Sequence, residues 1–125
     1  MKASVSFAFG LLIAIAPIAA QAQSFVDRMD PPFWWVGMPV DTVQVMMHGV
    51  RLAQFAPQVD HPGVTIARVE HGDSPNYAFV YLRITPEAIP GTLEIQWWDA
   101  QNRQSKLLGR TPFELKKRAP RDIQG

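Results

Sequence analysis

Apolar and polar residues alternate along most of the chain after residue 30, with the two-residue period of a β-strand. The clearest case is 77–84, where Val80 and Leu82 share one face while Tyr81 and Arg83 share the other. No window keeps a helical period, because proline and glycine interrupt the chain too often. The pattern therefore predicts seven strands, at 33–38, 42–48, 64–70, 77–84, 92–98, 105–108 and 112–116.

Turn-forming residues separate these strands, and the stretch 50–63, with Pro57, Asp60 and Pro62, is expected to be a loop. Seven short strands in about one hundred residues are typical of an all-β, immunoglobulin-like antiparallel β-sandwich. A small β-barrel is the competing architecture. The absence of cysteine does not exclude the sandwich, since many such domains lack the disulfide.

The first 22 residues have the three parts of a signal peptide. Lys2 supplies the positive charge, an apolar run covers 5–16, and Ala20 and Ala22 are the small residues before a cleavage site. A membrane anchor is the alternative, but this run is shorter than the ~20 residues that a spanning helix needs. We expect cleavage before Gln23, a periplasmic or secreted protein, and no membrane association afterwards.

Composition excludes some classes of partner. Without Lys2, 11 basic and 11 acidic residues remain, so the mature chain is close to neutral. A nucleic-acid-binding domain would need a basic stripe, so we expect no nucleic-acid partner. Since cysteine is absent, the domain must also hold together without disulfides.

Catalytic and metal-binding patterns are not found in the sequence. The candidate carboxylates lie mostly in turns and no spacing pairs two of them, as a glycosidase would require; they are Asp60, Glu70, Asp73, Glu87, Glu94 and Asp99. The histidines lack the spacing of a zinc site; they are His48, His61 and His71. We predict no catalytic residue, no metal site and no cofactor.

Aromatic side chains are the remaining functional candidates, because sugar rings stack on tryptophan and tyrosine. Adjacent strand residues point to opposite faces, so one tryptophan of each pair should be core and the other exposed. Trp97 shares a face with apolar residues and is assigned to the core, whereas Trp98 is assigned to the surface. For Trp34 and Trp35, the sequence leaves open which of the two points inward. The predicted residues for contact with a glycan or a packed domain are Trp34, Trp35, Tyr81 and Trp98.

Several blocks resemble the N-terminal domain of bacterial cyclomaltodextrinases and neopullulanases, members of the α-amylase family of glycoside hydrolases. The blocks follow the family's order: Pro31-Pro32-Phe33-Trp34-Trp35-Val36-Gly37-Met38, Val43-Gln44-Val45-Met46-Met47-His48-Gly49, Pro62-Gly63-Val64, Ser74-Pro75-Asn76-Tyr77-Ala78-Phe79-Val80-Tyr81-Leu82, Pro90-Gly91-Thr92-Leu93 and Phe113-Glu114-Leu115-Lys116. The resemblance implies a sandwich domain over 23–117, ahead of a (β/α)₈ catalytic barrel. Residues 118–125 would then begin the linker to a barrel that this sequence does not contain.

The expected function is thus a non-catalytic module of an exported α-glucan hydrolase, without enzyme activity of its own. The resemblance implies packing against the barrel, with maltooligosaccharide or cyclodextrin as a further ligand. The alternative is a free-standing periplasmic immunoglobulin-like module that binds proteins. A small enzyme in its own right is a third, remote hypothesis. We also expect marginal solubility or self-association of the mature chain, since the surface that meets a barrel would be uncovered.

Overall fold

The computed structural model describes residues 25–101 and 107–118, and these residues form eight strands and one turn of 3₁₀-helix. The strands are β1 (Arg28–Asp30), β2 (Phe33–Trp35), β3 (Thr42–His48), β4 (Phe55–Val59), β5 (Val64–Glu70), β6 (Tyr77–Ile84), β7 (Gly91–Asp99) and β8 (Gly109–Lys116). The 3₁₀ turn, Leu52–Gln54, precedes β4. In this part of the chain no helix is long and apolar enough to cross a membrane.

The strands form two four-stranded sheets. The first sheet has the order β1-β3-β6-β5, and the second sheet has the order β2-β8-β7-β4. These are the ABED and CFG sheets of a constant-type immunoglobulin domain, with β2 added beside the last strand. The predicted all-β, immunoglobulin-like sandwich is confirmed.

The core lies between the sheets and is filled by alternate residues of the four central strands. Trp97 and Phe113 are its largest fully buried side chains. Thr111 is the buried polar residue of this core, and its hydroxyl accepts a hydrogen bond from the Trp97 indole N–H at 3.0 Å. The other fully buried core residues include Val45, Met47, Val80, Leu82, Leu93, Ile95 and Leu115. The two-residue period of the strands directs all of these side chains to the inner face.

The start of the sandwich differs from the predicted single strand at 33–38. The chain pairs first with β3 as β1, crosses at Pro31 and Pro32, and then pairs with β8 as β2, which ends at Trp35. The β2–β8 pair is parallel, the exception in a fold predicted as antiparallel. Three-residue strands are too short for an alternating pattern, which is why β1 carries no sequence signal.

The prediction of a loop over 50–63 is wrong, because β4 lies within it. Phe55, Pro57 and Val59 alternate with Ala56 and Gln58, and the strand pairs with β7 along its length. The sequence pattern indicated a loop because Pro57 lacks the N–H that a central strand needs. However, β4 is an edge strand, where such a residue is tolerated.

The predicted strand at 112–116 is part of a longer strand, β8, which begins at Gly109. The predicted strand at 105–108 falls partly on residues that the structure does not describe. Residues 102–106 lie outside the described part of the chain, and residues 107 and 108 are not in a strand. Pro112 sits inside β8, in the part that β2 does not reach, so the strand has one neighbour there. The proposed signal peptide, 1–22, also lies outside the described residues.

The four edge strands of the two sheets are all unsuited to pairing with another strand. β1 and β2 have three residues each, and β4 contains Pro57. β5 is longer, but its register with β6 shifts between Ile66 and Arg68, as at a β-bulge. Short edges, proline and bulges are the devices by which natural sheets avoid edge-to-edge association.

Candidate functional site

The four aromatic residues predicted from the sequence lie in different regions and do not form one site. Trp35 and Trp98 project from the outer face of the second sheet, at opposite ends, roughly 25 Å apart along the strands. Trp34 points inward from β2 and packs against the core. Tyr81 projects from the outer face of the first sheet, on the other side of the sandwich.

The end of β2 carries an aromatic cluster. Phe33 and Trp35 flank the inward Trp34 and meet edge to face, with ring centroids 5.2 Å apart. The Lys116 ammonium lies 4.0 Å from the centroid of Phe33, a cation–π contact. The indole N–H of Trp34 is shielded from solvent and has no hydrogen-bond acceptor among the described residues. The cluster is therefore packed on itself and partly covered.

Trp97 and Trp98 take the faces that the alternation assigns to them. Trp97 is fully buried, whereas Trp98 is half-buried on the outer face beside Ala56. The indole N–H of Trp98 is also shielded from solvent without an acceptor in the described part of the chain. Trp98 thus offers an apolar surface with polar Gln96 and Glu94 further along the same face.

The outer face of the first sheet is richer in aromatics than the sequence analysis recognised. Tyr77 and Phe79 stand beside Tyr81 on β6, and Met46 lies opposite Phe79 on β3. The Tyr77 and Phe79 rings are nearly parallel, with 6.3 Å between centroids. His48 packs edge-on against Tyr77 at 4.8 Å. Tyr77, Phe79 and Tyr81 are spaced two residues apart, so the alternation along 77–84 was the sequence signal for these outward aromatic side chains.

A polar network surrounds the Tyr81 ring. Its hydroxyl accepts a hydrogen bond from Gln44 Nε2 and donates to Glu70 Oε1 at 3.1 Å. Arg68 Nε donates to Glu70 Oε2 at 2.9 Å, and its guanidinium lies 3.8 Å from the Tyr81 centroid. One face of Tyr81 is thus already covered by Arg68.

The network also sets the ionisation of its two charged members. The hydrogen bonds from Arg68 and then Tyr81 hold the pKa of Glu70 below its ordinary value. The same bond to Glu70 raises the pKa of Arg68. Both groups are therefore charged at neutral pH, and each side chain is more than half exposed to solvent.

A scan against family models matches residues 28–119 to the N-terminal domain of cyclomaltodextrinase. The match begins at the first residue of β1 and runs past the end of β8, so it contains every described strand. This chain belongs to the cyclomaltodextrinase N-terminal domain family. The resemblance seen in the sequence is confirmed, and the family domain takes up most of the 125 residues.

The carboxylates of this cyclomaltodextrinase N-terminal domain are dispersed. Glu70 and Glu94 lie on the outer faces of opposite sheets, and each is paired with an arginine. Among the described residues, no group of three histidine, aspartate or glutamate side chains is placed to hold a metal ion. His48 Nδ1 lies 2.7 Å from Asp27 Oδ1, and His61 Nε2 lies 2.8 Å from a backbone carbonyl.

The clefts that the described residues form at the surface include two open ones. One, of about 380 Å³, lies between 53–55 and 99–101, and the other, of about 290 Å³, follows β1 where the chain crosses between sheets. Asp99 is a charged residue of the first cleft, and its carboxylate accepts a hydrogen bond from the Gln101 N–H. Neither cleft contains any of the four predicted aromatic residues.

Proposed function

We propose that this chain is the non-catalytic N-terminal module of an exported cyclomaltodextrinase or neopullulanase-like α-glucan hydrolase, and that it packs against the (β/α)₈ barrel. The observation that carries the proposal is the family match over 28–119, which includes the whole sandwich. A barrel typically needs about 250 residues, so it would lie outside these 125 residues.

The absence of bond-cleaving activity in the module is supported by its carboxylates. Retaining glycosidases use two carboxyl groups about 5–5.5 Å apart, one of them protonated. Glu70 and Glu94 are on opposite sides of the sandwich, and Glu70 is held in its charged form. The expected result is no release of reducing sugar from β-cyclodextrin by the purified chain. Turnover that is lost in Glu70→Gln or in Glu94→Gln would contradict a non-catalytic module.

Packing on the barrel is tested by fusing the full chain, through its C terminus, to the barrel of a cyclomaltodextrinase. If the domains pack, the melting temperature of the sandwich should rise by at least about 4 °C relative to the chain alone, the equivalent of about 1 kcal/mol for a domain of this size. Differential scanning calorimetry measures the rise. A fusion to an unrelated barrel of similar size is the control, and an equal rise in both would contradict specific packing.

A second role, binding of maltooligosaccharide or cyclodextrin, is supported by the outward position of Trp98 and the polar side chains near it. Gln58 lies opposite Gln96 on the same outer face, so hydrogen-bonding groups are available for sugar hydroxyls. Calorimetric titration of the full chain with β-cyclodextrin and maltoheptaose tests this role. Binding that is lost in Trp98→Ala but kept in Trp35→Ala assigns the glycan to the Trp98 end of this face, and Val50→Ala, at an exposed turn, is the matched control.

The alternative function is a free-standing periplasmic module that binds proteins. It is favoured by one observation: the sandwich is complete, with both immunoglobulin sheets present and a closed core. Cross-linking in cells that produce the chain from its own gene separates the two functions. A cross-linked partner that is not a glycoside hydrolase would support the alternative.

Export is proposed from the signal-peptide pattern of the first 22 residues. The expected outcome is a periplasmic or secreted chain that begins at Gln23. N-terminal sequencing of the protein recovered from the periplasm and from the medium measures this. A chain recovered in the cytoplasm with Met1 intact would contradict it.

A further inference from the structure

One end of the sandwich, which we call the exit end, is formed by the turns 36–41, 60–63 and 85–90. The last described residues are bound to it. The Val36 N–H donates to the Lys116 carbonyl at 3.0 Å and so extends the β2–β8 pair by one residue. Arg118 Nη1 then donates to the Gly37 carbonyl, also at 3.0 Å. The chain is therefore fixed to the exit end as far as residue 118.

Backbone hydrogen bonds tie the turn 60–63 to the turn 85–90, and the turn 36–41 to the end of β6. The Thr85 N–H donates to the Gly63 carbonyl at 2.9 Å, and the Ile84 N–H donates to the Asp41 carbonyl at 2.7 Å. Gly63 has φ +82° and packs so closely that an added Cβ would lie 2.4 Å from the Ala88 Cα. A side chain at 63 would force these turns apart, so the exit end is a rigid surface.

Two apolar side chains project from this rigid surface. Val40 is 68% exposed and Ile89 is 52% exposed, although each belongs to a turn held by backbone hydrogen bonds at its neighbours. Pro39 and Pro90 stand beside them and are also exposed. Ordered apolar groups in fixed turns lose little conformational freedom when they are covered, which is what a docking surface requires.

We propose that the exit end is the surface on which the barrel packs, with Val40 and Ile89 as its central contacts. This inference rests on the proposed function. The direction of the chain argues for the occupant: the last described residue, Arg118, is bound to the Gly37 carbonyl, three residues before Val40. A barrel joined to the C terminus would therefore be tethered at this end of the sandwich. The exposed Val50 lies at the opposite end, where Gly49 packs against Phe25 at the start of the described chain.

The outer face of the first sheet is a weaker candidate for the same role. Its rings are already in contact with each other and with neighbouring polar groups, and Arg68 covers Tyr81. It also lies along the side of the sandwich rather than at the end from which residue 118 leaves.

Hydrogen–deuterium exchange on the full chain and on its fusion to a cyclomaltodextrinase barrel tests the inference. We expect the amides of 40–41 and 87–89 to exchange at least about tenfold more slowly in the fusion, which corresponds to about 1.4 kcal/mol. Val40→Asp and Ile89→Asp should abolish this protection. The matched variant Val50→Asp should leave it unchanged, and exchange in β6 reports whether each variant remains folded.

The outcomes separate this inference from the proposed function. New protection confined to the outer face of the first sheet or to the Trp98 face would overturn the exit end as the docking surface while supporting domain packing. A fusion without new protection anywhere, and without a rise in melting temperature, would overturn both.

Discussion

Trp97 and Trp98 are neighbours in the chain but lie on opposite faces of β7. Trp97 is completely buried, and its N–H donates to the Thr111 hydroxyl. Trp98 is half-buried, and its N–H has no acceptor among the described residues. The same side chain is therefore a satisfied core residue at one position and, at the next, an outer-face residue whose N–H has no partner in the described part of the chain. The comparison shows that alternation assigns a face, whereas the register of the neighbouring strand decides whether a polar atom finds a partner.

The largest expected loss of stability comes from truncating Trp97, the inner residue of this pair. Trp97→Ala should lower the free energy of unfolding by about 3–5 kcal/mol, because it leaves a cavity between the sheets. Trp98→Ala, the matched variant on the outer face, should cost about 1 kcal/mol or less. Urea denaturation followed by circular dichroism measures both. Equal losses would mean that the two faces of β7 are not distinguished energetically.

The hydrogen bond inside the core gives the second prediction. Thr111→Val keeps the shape of the side chain but leaves the Trp97 N–H without its acceptor, at a cost of about 1–3 kcal/mol. Thr92→Val, at an exposed position of β7, is the control and should be close to neutral. Thr111→Ser should restore part of the loss. A neutral Thr111→Val would show that the Trp97 N–H is satisfied in another way.

A smaller effect is expected when the outer indole is replaced by a phenyl ring. Trp98→Phe removes a shielded donor that has no partner in the described structure, so stability should change by less than about 1 kcal/mol. Trp97→Phe should cost more, since it also deprives the Thr111 hydroxyl of its donor. Melting temperatures of the two variants measure the difference. The reverse order would contradict the assignment of the two N–H groups.

The smallest effect concerns the exposed network on the first sheet and depends on pH. Because the folded-state pKa of Glu70 is lowered, its stabilising contribution is present above the ordinary Glu value of 4.5 and is lost as the pH falls through the folded pKa. The stability difference between the wild type and Glu70→Gln should therefore be small at pH 6 and disappear in acid. Thermal unfolding from pH 6 to pH 2 measures it.

Arg68→Gln provides the control for this pH dependence. In that background, the effect of Glu70→Gln should vary less with pH, since the largest cause of the lowered pKa is gone. A stability difference between the wild type and Glu70→Gln that grows as the pH falls would have the wrong sign. It would contradict the assignment of Glu70 as a hydrogen-bonded carboxylate with a lowered pKa.

Much of the fold could be predicted from the period of the sequence. β3, β5 and β6 have the predicted bounds, because each shows several alternations of apolar and polar residues. β1 and β4 could not be predicted in the same way. β1 offers a single inward residue, Met29, opposite Met47, and the alternation of β4 is interrupted by a proline that only an edge position tolerates.

The candidate surfaces were less predictable than the strands. Alternation correctly separated Trp97 from Trp98, but it does not say which sheet a strand joins. Tyr81 and Trp98 are each the outward residue of their strand, but the two strands belong to different sheets. The two side chains therefore lie on opposite sides of the sandwich. The exit end is formed by three turns that are distant in sequence, so it is visible only once the strands are assembled.

The guarded edges of the two sheets matter most when copies of the chain meet one another. Molecules of one sequence present identical edge strands, and a long, straight edge in one copy would be a template for the same edge in another. Short β1 and β2, Pro57 in β4 and the irregular register of β5 give an identical neighbour no straight strand to extend. Any association between copies would therefore have to use side-chain surfaces rather than the backbone of an edge strand.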